Sequence, residues 1–150
     1  MPTRKKISAS LQQRVRQRAQ GLCEYCHAAE QWQYVRFTFD HVIPVARGGL
    51  ATLENLALAC FHCNRRKTDR LNAVDIASRE QVPLFNPRED NWSDHFVWSA
   101  DGGGVLIGRT ATGRATIEAL ALNRERVVRI READYIARRH PPPDDLRQQS

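Results

Sequence analysis

All four cysteines of this 150-residue chain fall into two Cys-x-x-Cys pairs, Cys23 with Cys26 and Cys60 with Cys63, separated by residues 27 to 59. Four thiolates close a tetrahedral sphere around zinc and leave no open position, so the spacing reads as a structural Zn2+ site. A redox dithiol needs one such pair and not its double. Zinc would then replace the apolar core that so short a segment cannot build. Reduced thiols suit a cytoplasmic protein. No run approaches about 18 apolar residues, and the basic start MPTRKKISAS has no apolar stretch behind it, so neither a membrane span nor a secretory leader is expected.

Lys and Arg outnumber Asp and Glu by 23 to 17, a formal net charge of +6. That balance favours a polyanionic partner, nucleic acid first, through phosphate contacts and counterion release. Charge alone does not decide it, because many proteins this basic never touch nucleic acid.

The pattern along the chain predicts one α+β unit with an appendage. Residues 1–22 hold a basic helix over Ser8–Gln20, with Leu11, Val15 and Ala19 at four-residue spacing and Gly21 ending it. Residues 23–71 form the core, with a strand over Tyr34–Phe39 running into Asp40 and His41, a loop at Pro44 and Gly48-Gly49, and one helical turn from Thr52 to Leu58. A short basic helix over Asn64–Leu71 completes a ββα arrangement. Residues 72–91, punctuated by Pro83 and Pro87, read as an irregular connector. Within 92–140, His95–Ala100 and Val105–Arg109 flank an Asp-Gly-Gly-Gly turn and read as a hairpin. A helix opened by Thr112 or Thr116 and a second over Arg124–His140 follow. Residues 141–150 read as a disordered tail.

Inside the knuckles, Asp40-His41 follows the predicted strand, Asn55 follows the glycine loop, and Asn64 comes directly after the last cysteine. Taken singly, such residues are more often caps or surface hydrogen-bonding groups. Together, CEYC, FDHVIPVARGG, LENLALAC and CFHCNRRK resemble the HNH endonuclease motif in its four-cysteine form, over residues 23 to 67.

The resemblance implies a ββα-metal (His-Me finger) fold whose strands and helix clamp a divalent ion, with Cys23, Cys26, Cys60 and Cys63 on structural zinc. His41 would be the general base, since neutral imidazole can take a proton from water at physiological pH. Asp40 and Asn64 would hold Mg2+ or Mn2+, their hard oxygens suiting those ions better than zinc. Asn55 would bond across the loop and orient His41. Arg47, Arg65, Arg66, Lys67 and Arg70 would meet phosphates flanking the cut, a solvated charged face being the competing account. The C-terminal portion resembles an extension attached to a subgroup of bacterial HNH proteins and reads as a packing or targeting element.

The expected activity is hydrolysis of DNA phosphodiester bonds, RNA not being excluded. One alternative is a non-catalytic zinc module that binds nucleic acid through its basic helix; another is a toxin or mobile-element nuclease checked by a protein partner. Sequence specificity and oligomeric state are left open.

Overall fold

A computed structural model describes residues 6–142. The tail expected over 141–150 lies, from residue 143 onward, outside the described residues. The chain divides into two compact units. Among the described residues, the first takes 6–71 together with Asn86–Glu89, and the second takes Asn72–Phe85 and 90–142.

In the first unit, helix α1 spans Ala9–Arg18 and is capped by the Ser8 side chain, which accepts from the Leu11 amide at 3.2 Å. Its apolar stripe buries Val15, with Ala19 just beyond the end, and the left-handed pair Gln20 and Gly21 stops it. Two of the helix arginines are engaged within the fold. Arg18 donates to the carbonyls of Leu53 and Leu56, and Arg16 forks onto Glu30.

Strands β1 (Thr38–His41) and β2 (Leu56–Ala59) pair antiparallel, with Thr38 opposite Ala59, Phe39 opposite Leu58, Asp40 opposite Ala57 and His41 opposite Leu56. All four β2 residues are buried. Helix α2 (Phe61–Lys67) follows directly.

These positions differ from the sequence expectation in three ways, each with a physical cause. The first strand begins at Thr38 and not Tyr34, because the Phe37 amide is taken by the Glu30 carboxylate and only four residues of β2 face it. Leu56–Ala59 is strand and not helix; the turn is confined to the amides of Asn55 and Leu56 donating to the Thr52 carbonyl. Helix α2 starts three residues early because the Cys60 sulfur caps it, accepting from the Cys63 amide at 3.3 Å.

Among the described residues, the second unit is built on two short hairpins and three helices. Strands β3 (Asn72–Val74) and β4 (Gln81–Pro83) pair where an irregular connector was expected. Helix α3 (Trp92–His95) leads into β5 (Phe96–Trp98), which pairs with β6 (Leu106–Gly108) across the glycine turn. Helix α4 (Ala111–Ala119) is capped by Thr110 and not by Thr112 or Thr116. Thr116 is instead buried, accepting from the Phe85 amide and donating to the Thr112 carbonyl. Helix α5 spans Glu125–Ile136, ending ahead of the prolines. Trp92, Phe96, Trp98 and Phe85 form the aromatic core, with ring centroids 5.1–5.6 Å apart.

One ion pair ties β3 to α4. Asp75 is fully buried and accepts from Nε and Nη2 of Arg114 at 3.1 and 2.9 Å and from the amides of Ala77 and Ser78. The Arg114 hydrogen bonds hold its carboxyl well below the usual carboxylate range. A carboxyl depressed on folding stabilises the fold above its unfolded value, about 4, and loses that contribution as acid protonates it. Asp75→Asn is therefore expected to lower the melting temperature at pH 7 and to flatten the stability loss below about pH 4. Calorimetry across that range checks both; an unchanged acid slope would refute the assignment.

Candidate metal centre and active site

Each knuckle is a backbone device that aims two sulfurs at one point. In the first, the His27 amide returns to the Cys23 carbonyl at 2.8 Å, His27 takes a left-handed conformation, and a bridge between Leu22 and Ala29 closes the turn. In the second, Cys60 sits at the cap of α2 and Cys63 in its first turn.

The four sulfurs all lie within 4.8 Å of one another, with Cys26 and Cys60 at 3.8 Å. Tetrahedral zinc with bonds of about 2.3 Å requires sulfur separations of about 3.8 Å, so the donors fit that ion in chemistry and spacing. Burial pushes the Cys23 thiol up and the neighbouring thiols push Cys63 up, while hydrogen bonds from Cys23, Cys60 and Cys63 draw Cys26 down. Sulfurs this close cannot all ionise unaided; a divalent cation removes the conflict.

Asp40 and His41 end β1, and both are buried, at 3 % and 4 % exposure. Asp40 is held on every side. Tyr25, from within the first knuckle, donates its hydroxyl to Oδ2 at 2.5 Å, and the Lys67 ammonium lies 3.2 Å from each carboxylate oxygen. Burial pushes the Asp40 carboxyl up, the Lys67 charge opposing it. Lys67 also donates to the carbonyls of His41 and Val42, at 3.3 and 3.2 Å.

Lys67 is thus 2 % exposed and internal, which corrects its expected place among the phosphate-contacting cations. Its donors' partners are one carboxylate and two main-chain carbonyls, the hard oxygens that Mg2+ and Mn2+ prefer. The Lys67 ammonium is therefore enclosed by oxygen acceptors centred on Asp40. Tyr25 and the inward role of Lys67 escaped the sequence reading, although the aromatic inside CEYC was in plain view.

Asn64, in α2, donates its amide to the Thr38 hydroxyl at 2.9 Å, and Thr38 in turn donates to the Ala59 carbonyl, so the helix is tied to both strands. Asn55 spans the loop: its carbonyl accepts from the Ile43 amide, and its amide donates to the carbonyls of Ile43 and Leu50. Gly49 is required beneath it, since a Cβ there would lie 1.6 Å from the Ile43 carbonyl oxygen.

Two contacts thus join β1 to α2, Lys67 with Asp40 and the His41 carbonyl, and Asn64 with Thr38, while Asn55 shapes the loop between the strands. Arg47, Arg65 and Arg66 are exposed, whereas Arg70 is half-buried and donates to the Arg66 carbonyl. No helix among the described residues is long and apolar enough to cross a membrane.

Comparison with known proteins agrees on the same segment. Residues 23–70 match the family model for HNH endonuclease. The chain is also 26 % identical over 141 residues to Septu protein PtuA of Bacillus mycoides (strain KBAB4), an alignment covering 77 % of this chain and 19 % of that protein. The chain spans about a fifth of that relative's length. The HNH resemblance is thereby shown over residues 23–70, with four cysteines positioned for the metal site of its zinc form.

Proposed function

We propose that this chain is a metal-dependent endonuclease that hydrolyses DNA phosphodiester bonds from the β1–α2 junction. The observation that supports the reading is that, within the HNH-matching segment, β1 ends on the buried pair Asp40 and His41 and is joined to α2 by Lys67 on Asp40 and Asn64 on Thr38. His41 takes the proton of the attacking water, and Asn55 keeps the following loop in the shape that leaves the imidazole at the strand end. Asp40 and Asn64 would hold the catalytic ion, Mg2+ or Mn2+, which when bound would supply positive charge at the reacting phosphate. The ββα-metal core is then β1, β2 and α2, with zinc on the four cysteines fixing where α2 begins.

Incubating supercoiled plasmid with the zinc-loaded protein tests the reading directly. Nicking is expected with magnesium or manganese and none with EDTA. Binding without nicking under any divalent ion would instead favour the non-catalytic zinc module.

Arg47, Arg65, Arg66 and Arg70 are the cations that meet flanking phosphates. They carry charge and no evident base-reading geometry, so binding should weaken with salt regardless of sequence. With about four contacts, log K is expected to fall against log salt with a slope of roughly −3 to −4. Fluorescence anisotropy on two unrelated duplexes measures it; a flat affinity between low and moderate salt would count against these residues.

A further inference from the structure

Lys67 raises a question that the metal-dependent reading does not answer. A buried carboxylate without a partner is costly, and here the Lys67 ammonium is its charged partner. The Lys67 nitrogen lies 3.2 Å from Oδ1 and 3.2 Å from Oδ2, which is the bidentate side of the carboxylate, and Tyr25 takes a further position on Oδ2. A carboxylate has about four acceptor positions, so three are filled from within the protein.

A divalent ion bound to the same carboxylate sits about 2.1 Å from its oxygen. With the ammonium still in place, two like charges would share a buried site only a few ångströms apart, an arrangement that is strongly repulsive away from bulk water. The carbonyls of His41 and Val42 that complete the ammonium's shell are equally suited to a hard cation.

We propose that the Lys67 ammonium and a divalent ion are alternative occupants of one cation site at Asp40, so that binding of the ion displaces the Lys67 side chain. The inference rests on the reading of Asp40 as a ligand of the catalytic ion. It gives the site a stable resting state: without the ion, Lys67 neutralises Asp40 and keeps β1 tied to α2; with it, the lysine side chain is released.

Manganese binding, followed by electron paramagnetic resonance on zinc-loaded protein, tests this apart from activity. Lys67→Met removes the internal competitor and is expected to bind Mn2+ about tenfold or more tightly than the wild type. Equal or weaker binding would overturn the proposal, since the ion would then occupy the remaining position on Oδ1 beside the lysine. Asp40→Asn separates the two ideas. If it binds Mn2+ as well as the wild type does, the ligand role of Asp40 has failed, and the competition with it; if it loses Mn2+ while Lys67→Met gains nothing, only the competition has failed.

Lys67→Met leaves Asp40 buried without its ammonium partner, so folding is checked by zinc content and circular dichroism. Should it not fold, the wild type answers alone. In protein carrying 15N-labelled lysine, the Lys67 ammonium resonance, sheltered by burial, is expected to shift and lose its protection from exchange at saturating Mg2+. A resonance unmoved at saturation would overturn the displacement.

Discussion

His41→Ala is expected to slow plasmid nicking by about a hundred- to ten-thousand-fold, the usual worth of a general base, with zinc content unchanged. The comparison needs initial rates at saturating manganese, where a loss of kcat with little change in DNA affinity marks an interaction made in the transition state. Burial of His41 adds a complication that the motif alone does not reveal. At 4 % exposure, its truncation leaves a cavity, and a cost of roughly 1–3 kcal/mol in stability is to be expected. Thermal denaturation therefore accompanies the rate measurement, and His41→Asn, which fills more of the space, serves as the second variant. If either variant, folded at the assay temperature, cut plasmid at the wild-type rate, the HNH mechanism would not operate here and the zinc-module alternative would stand.

What the sequence made legible was local. Two Cys-x-x-Cys pairs encode their geometry in a turn of four residues each, so the sulfur cluster could be read without knowing the fold. The glycine-rich loop was legible for the same reason, since Gly49 and Asn55 act on backbone within that one loop, at Ile43 and Leu50.

The errors lie where a partner distant in sequence decides. Leu56-Ala-Leu-Ala is a good helix sequence and is buried on both faces; only the pairing with Thr38–His41 makes it a strand. Lys67 follows two exposed arginines and so reads as one more surface cation, but its carboxylate partner is 27 positions earlier. The same distance effect hid Asp75 and Arg114, whose contact spans 39 positions and turns an apparent connector into a paired hairpin locked to a helix. Periodicity registers what a residue's neighbours are, not what it will meet.

Removing the zinc is expected to have the larger structural effect. Native protein should carry one zinc per chain, and stripping it with a strong chelator, or Cys60→Ser, should unfold the β1–β2–α2 region. Structural zinc binds with an apparent free energy of about 10–16 kcal/mol near neutral pH, whereas a whole domain is commonly stable by only about 5–15 kcal/mol, so little of this region should survive its loss. Cys60→Ser is chosen because the Cys60 sulfur has two jobs, cluster member and cap of α2. Serine retains a capping oxygen and loses the soft ligand, so unfolding of this variant points to the metal rather than the cap. The consequence reaches the candidate active site, because the helix that begins at Cys60 carries Cys63 into the cluster and Asn64 and Lys67 onto β1. Amide exchange of Asp40, Val42 and Ala57 reports the outcome residue by residue. Elemental analysis without zinc, or four freely titrating thiols in a chain whose strands keep their protection, would show that the sulfurs are neighbours without being ligands.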